Sequence, residues 1–341
     1  TDHNYHHSDV FGMNISFQYT SKLGISSFGS EFRNEGILSN VLGKQTHDTI
    51  GKYTKSDNRT NISYFLEHNF IVDKFSLSLG GLLNQNSSIV DKVDFYPSIN
   101  ASYRPNRNVS IYASWNKATR MPTFTDLYYT TKTHTGNTNL SAENSQSLEA
   151  GLKLKNHYLR ATFSAFYMIG DNLIDWIKPS ADALWESRNL TRINKLGLET
   201  YLTLDIEQIL GREQPLRRFD LGYTYLNQEK VADDWISNYT LNHLKHKFTA
   251  SLTHNIVENI SLSWNFRWQD REGSYVQYIN SKPGEKVPYI PFSVLDLKFN
   301  YKLKDLNLFV NANNIFDKTY VDLGNIPQPG FWLSGGISYY F

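Results

Sequence analysis

NISLSWNFRWQDR, residues 259–271, alternates along its length. Ile260, Leu262, Trp264, Phe266 and Trp268 share one parity, and Ser261, Ser263, Asn265, Arg267 and Gln269 share the other. Side chains of an extended chain point to opposite faces with period two, so this stretch predicts a strand with one oily and one wet side. A soluble sandwich would bury the oily side against a second sheet, whereas a membrane barrel would show it to lipid.

The same rhythm recurs. Phe11, Met13, Ile15, Phe17 and Tyr19 share a face; so do Phe75, Leu77, Leu79 and Leu83, then Val109, Ile111, Ala113 and Trp115, then Leu148, Ala150, Leu152 and Leu154. Further stretches near 158–169, 196–204, 218–226, 246–253, 293–303, 307–316 and 331–341 follow it, with weaker ones near 22–36, 60–70 and 94–103. Counted by this period the chain predicts about 15 strands. No convincing helical periodicity interrupts them.

The connections alternate as well. Short ones fall near Ser21-Lys22, Val72-Asp73-Lys74, 105–108, Asn156-His157, Val257-Glu258 and Lys304-Asp305, and Glu207 to Arg217 would be an unusually long member of that set. Long ones fall near 37–59, 85–93, 119–142, 172–189, 230–243, 272–291 and 316–330. One end of the sheet carries tight turns and the other large loops, as in outer-membrane barrels with short periplasmic turns and long extracellular loops.

Composition agrees. Aromatic residues make up 14% of the chain and mean hydropathy is negative, the profile of strands that alternate between lipid and a wet lumen. No apolar run approaches the roughly 20 residues of a membrane helix. The strands are long enough for the 9–11 residues that cross a bilayer at a tilt. Glu149, Lys153, Arg160, Glu199, Arg267, Lys298 and Lys302 on the polar faces suit a wet interior better than a sandwich core. The net charge of +1 gives no pull toward nucleic acid, and none is expected as a partner. The absence of cysteine excludes disulfides, thiolate metal sites and cysteine nucleophiles. No G-x-S-x-G turn, H-E-x-x-H pair or phosphate-binding glycine loop is present, so no catalytic residue and no cofactor are expected. His3, His6 and His7 beside Asp2 and Asp9 invite a metal reading, with a solvated extracellular loop as the alternative.

Two stretches carry a family resemblance. Asn314-Ile315-Phe316-Asp317-Lys318, then Tyr320, Pro329-Gly330 and a last strand ending in Phe341 resemble the C-terminus of TonB-dependent outer-membrane receptors, although Phe331 stands where an Arg commonly follows Pro-Gly. Arg120, Pro122, Thr123, Asp126-Leu127-Tyr128, Gly136-Asn137, Leu140, Glu143, Ser145 and Glu149-Ala150-Gly151 resemble a second segment of that family, leaning to its vitamin B12 (cobalamin) receptor branch. The resemblance implies an all-β, antiparallel transmembrane β-barrel in the bacterial outer membrane. Residues 1–341 would form a partial barrel domain, the C-terminal portion, with about 15 of 22 strands and without the plug domain. It implies energy-coupled uptake of a scarce bulky solute, cobalamin or another corrinoid first and a ferric siderophore or haem next. A non-transporting surface barrel and a barrel hydrolase are the readings from other classes. The implied partners are outer-membrane lipid, the plug and remaining strands (as a separate chain if they are not in this one), the TonB complex through the plug, the barrel-assembly machinery, for which Phe341 would be the signal, and a surface lipoprotein. Ligand-binding candidates in the extracellular loops are Arg120, Phe124, Asp126, Tyr128 and Tyr129, with Trp176, Trp185 and Tyr278 in neighbouring loops. Large amphipathic rings among adaptable polar groups suit a bulky solute taken from water. Loop packing or an aromatic girdle is the alternative for each.

Overall fold

The computed structural model describes residues 3–88, 93–180, 182–211, 213–230, 235–237, 243–279 and 282–340. Among them the strands are β1 (His6–Ser21), β2 (Gly24–Ser39), β3 (Lys44–Ile50), β4 (Tyr53–Val72), β5 (Phe75–Asn86), β6 (Val93–Asn106), β7 (Val109–Arg120), β8 (His134–Thr135), β9 (Glu143–Lys155), β10 (Leu159–Lys178), β11 (Trp185–Asp205), β12 (Leu216–Lys230), β13 (Ile236–Ser237), β14 (Leu244–Val257), β15 (Ile260–Arg271), β16 (Ser274–Ile279), β17 (Lys282–Pro288), β18 (Phe292–Leu303), β19 (Leu306–Asn313) and β20 (Trp332–Tyr339). Helix α1 (Phe124–Tyr128) precedes β8, and α2 (Ile206–Leu210) precedes β12. Five short strands, β3, β8, β13, β16 and β17, lie within the loops. The other fifteen form one wall in which consecutive members pair antiparallel. This is the transmembrane barrel architecture, and the wall has the expected number of strands.

Register decides which side is which. Trp264 stands opposite Leu252 and Leu297, Leu297 opposite Ala312, and Ala312 opposite Leu333. Phe266 likewise faces Ala250 and Leu295, and Phe299 faces Leu262 and Val310. Facing residues of paired strands lie on the same side of a sheet, so one apolar face runs from strand to strand. At the far edge β1 adds Phe11, Met13, Ile15, Phe17 and Tyr19, all exposed. On the opposite face Asn265 meets Ser251 and Asp296, while Lys298 meets Ser263 and Asn311. Its rungs are tied by side-chain bonds such as Ser251 Oγ to Asn265 (2.8 Å) and Thr253 to Ser263 (3.0 Å). The opening stretch therefore shows Trp264, Phe266 and Trp268 to lipid, and Asn265 and Arg267 to the lumen.

The tight turns are residues 22–23, 73–74, 107–108, 156–158, 258–259 and 304–305, all at one end. Asp73 and Lys304 take left-handed φ of 49° and 50°, which opens these reversals. On the lumen face large rings lie over glycines directly opposite them. Tyr112 covers Gly151 and Phe166 covers Gly197, so that a Cβ on either glycine would overlap the ring. Gly29 with Phe65 and Gly336 with Phe309 repeat the arrangement.

Two details differ from the sequence reading. The short helices were not expected, because a single turn shows no periodicity. His6 and His7 belong to strand β1 rather than to a loop; His6 pairs with Ser39, and His7 lies 3.2 Å from Asp9. Phe341 lies outside the described residues. Among the described residues β1 pairs only with β2, and β20 only with β19.

Candidate functional site

The loop between β7 and β9 is folded onto the polar face and fastened at both ends. Thr123 and Asp126 build a capping box for α1: the Thr123 hydroxyl accepts from the Asp126 amide (3.1 Å), and the Asp126 carboxylate accepts from the Thr123 amide (2.9 Å). Arg120, the last residue of β7, is paired in register with Glu143, the first of β9, and its Nε donates to the Glu143 carboxylate at 2.8 Å. Asp126 lies 3.6 Å from the same guanidinium. From this base the loop reaches across β5 and β6 to β4. There Arg59 donates to the Pro122 carbonyl and stacks on Phe124 at 5.0 Å while paired with Glu35 of β2. The Tyr128 hydroxyl donates to Asp57 at 2.6 Å. Burial and the Asp57 carboxylate push the Tyr128 phenol well above the usual tyrosine range.

The other end of the loop meets the ribbon that β10 and β11 raise above the wall. Asn172, with left-handed φ of 56°, lies at the foot of this ribbon. Tyr129 and His134 stand edge-on to the buried Trp176 at 6.3 and 5.2 Å, and His134 stacks on Trp185 at 6.5 Å. Burial lowers the pKa of His134. Strand β8 pairs parallel to β11, and Asn189 clasps Ser141 through both its amide nitrogen (3.0 Å) and its oxygen (2.9 Å). On the ribbon's far side β13 pairs with β10, Ser237 donates to Asp175, and Arg188 lies 4.9 Å over Trp235. A polar cavity of about 520 Å³ opens between 135–138 and 186–189, lined by Thr135, Asn137, Thr138 and the Glu186–Arg188 pair.

Seven of the eight loop candidates thus come together: Arg120, Phe124, Asp126, Tyr128, Tyr129, Trp176 and Trp185. Most are engaged with other protein groups. Asp126 and Tyr128 hold the loop down, and Trp176 is buried. Tyr278 lies apart on the β16–β17 hairpin and is 56% exposed. The last long loop is fastened too. Asn314, buried and left-handed (φ 48°), donates to the carbonyls of Lys318 (2.8 Å) and Pro329 (3.2 Å), accepts from the Lys318 amide (2.9 Å), and is tied through its backbone to Asp296. Asp317 accepts from the Phe331 amide, and Tyr320 stacks on Phe292 at 4.3 Å beside Arg267.

Sequence reasoning did not place Glu35, Asp57, Arg59, His134 and Asn189 at the site, and it named Glu143 only within the family-like segment. Glu143 was recoverable, because extending the pairing of Trp115 with Leu148 along β7 and β9 brings it opposite Arg120.

The family model described as TonB dependent receptor-like, beta-barrel matches residues 1–315. The chain belongs to that family. It is an outer-membrane protein, and the family's members are receptors and transporters. The ferripyoverdine receptor of Pseudomonas aeruginosa is 26% identical over 302 residues, covering 82% of this chain and 34% of the receptor. The vitamin B12 transporter BtuB of Vibrio vulnificus is 25% identical over 222 residues, covering 63% and 32%. Among solved structures, the FrpB iron transporter from Neisseria meningitidis superposes with a TM-score of 0.73 at 19% identity over 98% of this chain and 55% of its own. The ferric enterobactin receptor of Pseudomonas aeruginosa gives 0.72 at 18% over 98% and 54%. The chain spans about a third of those two relatives and just over half of these structures, and the structural likeness bears on fold alone.

Proposed function

We propose that this chain is the barrel portion of a receptor for TonB-dependent, energy-coupled uptake of a bulky organic solute. The observation that carries the reading is the loop cluster over a polar-lined wall. The half-buried rings of Tyr129, His134 and Trp185 adjoin a cavity walled by hydroxyls, amides and one ion pair, above a face of polar ladders. Such a surface offers stacking area and hydrogen bonds to a large solute. Energy coupling would run through a plug and its TonB-contacting segment, which the family resemblance places ahead of the barrel.

Two cargo classes stand level. A corrinoid is supported by the likeness of residues 120–151 to the B12 receptor branch and by the similarity to BtuB. A ferric siderophore is supported by the longer match to the ferripyoverdine receptor. Equilibrium binding of cyanocobalamin, ferripyoverdine and haem to the purified full-length receptor decides between them. Tight binding of one class, abolished by deleting residues 131–138, supports the reading. Failure of all three to bind, with the barrel folded, rejects the cargo assignment.

A further inference from the structure

We propose that the α2 segment is an interfacial membrane anchor that seats the turn end of the barrel in the phospholipid of the inner leaflet. Among the described residues the turn end otherwise consists of minimal reversals, but residues 206–211 and 213–215 belong to an outgrowth between β11 and β12. Asp205 caps its helix by accepting from the Gln208 amide at 3.1 Å, and no residue of the helix is buried. Ile209 and Leu210 are 49% and 55% exposed. Held in water, two large aliphatic side chains in succession forfeit the gain from burial.

They are not isolated. The neighbouring turns present Tyr158 on one side, and Ile256 and Val257 on the other, all exposed. Backbone bonds hold the three turns together: the Asp205 amide donates to the Tyr158 carbonyl (2.9 Å), and the Asn255 amide to the Pro215 carbonyl (2.8 Å). The Arg217–Glu207 ion pair (3.1 Å) ties the helix back to the start of β12. The occupant follows from continuity. The apolar face ends at this level in the row Leu204, Phe219 and Leu252, and α2 begins two residues beyond Leu204. On this proposal the exposed aliphatic groups extend the lipid-facing surface to the headgroup boundary, flanked by charged groups such as Glu207 and Arg217, the composition of an interfacial anchor.

The chain has no cysteine, which makes site labelling direct. The full-length receptor, cleared of any cysteine outside this chain, would carry a nitroxide at Leu210→Cys, at Val257→Cys on the adjacent turn, or at Glu213→Cys as a solvent-side control. Each is reconstituted in phosphatidylethanolamine–phosphatidylglycerol vesicles, with folding confirmed by the gel shift of the unheated barrel. Collisional relaxation by oxygen and by a water-soluble nickel chelate is then compared. The expected result is an oxygen-to-nickel accessibility ratio at 210 and 257 about tenfold above that at 213. Equal nickel access at 210 and 213 overturns the proposal. Shielding of 210 from both agents also overturns it, because a protein surface then covers the segment.

Discussion

Replacing Asn314 by Ala should release the last long loop while leaving the wall intact. Asn314 is 3% exposed, and its side chain makes three hydrogen bonds across the base of that loop. Each is worth about 1 kcal/mol net. Its φ of 48° is left-handed, a conformation that costs an ordinary L-residue about 1 kcal/mol or more and that Asn tolerates. Asn314→Ala should therefore destabilise the closed loop by about 4 kcal/mol, and Asn314→Gly, which keeps the backbone free, by about 3. At a tenfold change per 1.4 kcal/mol, opening becomes more frequent by nearly three and by about two orders of magnitude. The assay is amide hydrogen exchange on the receptor in lipid, read at Gln328 and Phe331, whose amides are bonded to Tyr320 O and Asp317 Oδ1 within the loop. Unchanged protection of both amides in both variants would refute the clasp. Equal loss in Ala and Gly would refute the backbone contribution.

Other consequences can be measured separately. Leu297→Arg puts a charge on the lipid face and should cost about 2–4 kcal/mol in folding into vesicles, if the residue lies near the bilayer midplane; Lys298→Leu, on the lumen face, should change insertion little. Tyr128→Phe removes the donor to Asp57 and should loosen the 121–130 segment by about 1–2 kcal/mol, seen as faster proteolysis of that loop with cargo affinity only modestly changed. Because burial lowers the His134 pKa, the unfolded loop binds more protons than the folded one below the ordinary histidine value. The packing around His134 should be at full strength above about pH 6.5 and weaken as pH falls below it. Tryptophan emission from Trp176 and Trp185 should report this, and a response that persists in His134→Gln would sink the assignment.

The wall was legible because one period-two rule governs each of its strands, and because turn and loop lengths alternate with strand direction. A residue such as Trp264 announces its face through its neighbours at 262 and 266. The site was legible only as a region. Which loop would gather aromatic residues followed from composition, but Tyr128 finds Asp57 and Phe124 finds Arg59 across two intervening strands, and no local pattern encodes such partners. In the family-like run Asn314 to Lys318, Asn314 and Asp317 make bonds that fasten the last long loop. Both residues sit in left-handed backbone, and Asn314 supplies donors to the Lys318 and Pro329 carbonyls. The capping box at Thr123 and Asp126 was present in the sequence, yet a one-turn helix between long strands offers nothing to a search for periodicity.

The rings laid over Gly151 and Gly197 bear on how the wall is assembled. Hydrogen bonding between strands is nearly indifferent to position, so a pair could close in several alignments. A slip by one residue would send Phe166 to the lipid side. A slip by two would set its ring against Lys195 or Glu199, where a Cβ occupies the space that Gly197 leaves open. Only one alignment offers the ring a vacancy. Tyr112 does the same for β7 and β9, so each such pair acts as an index mark by which an arriving strand rejects a wrong alignment before the next is added.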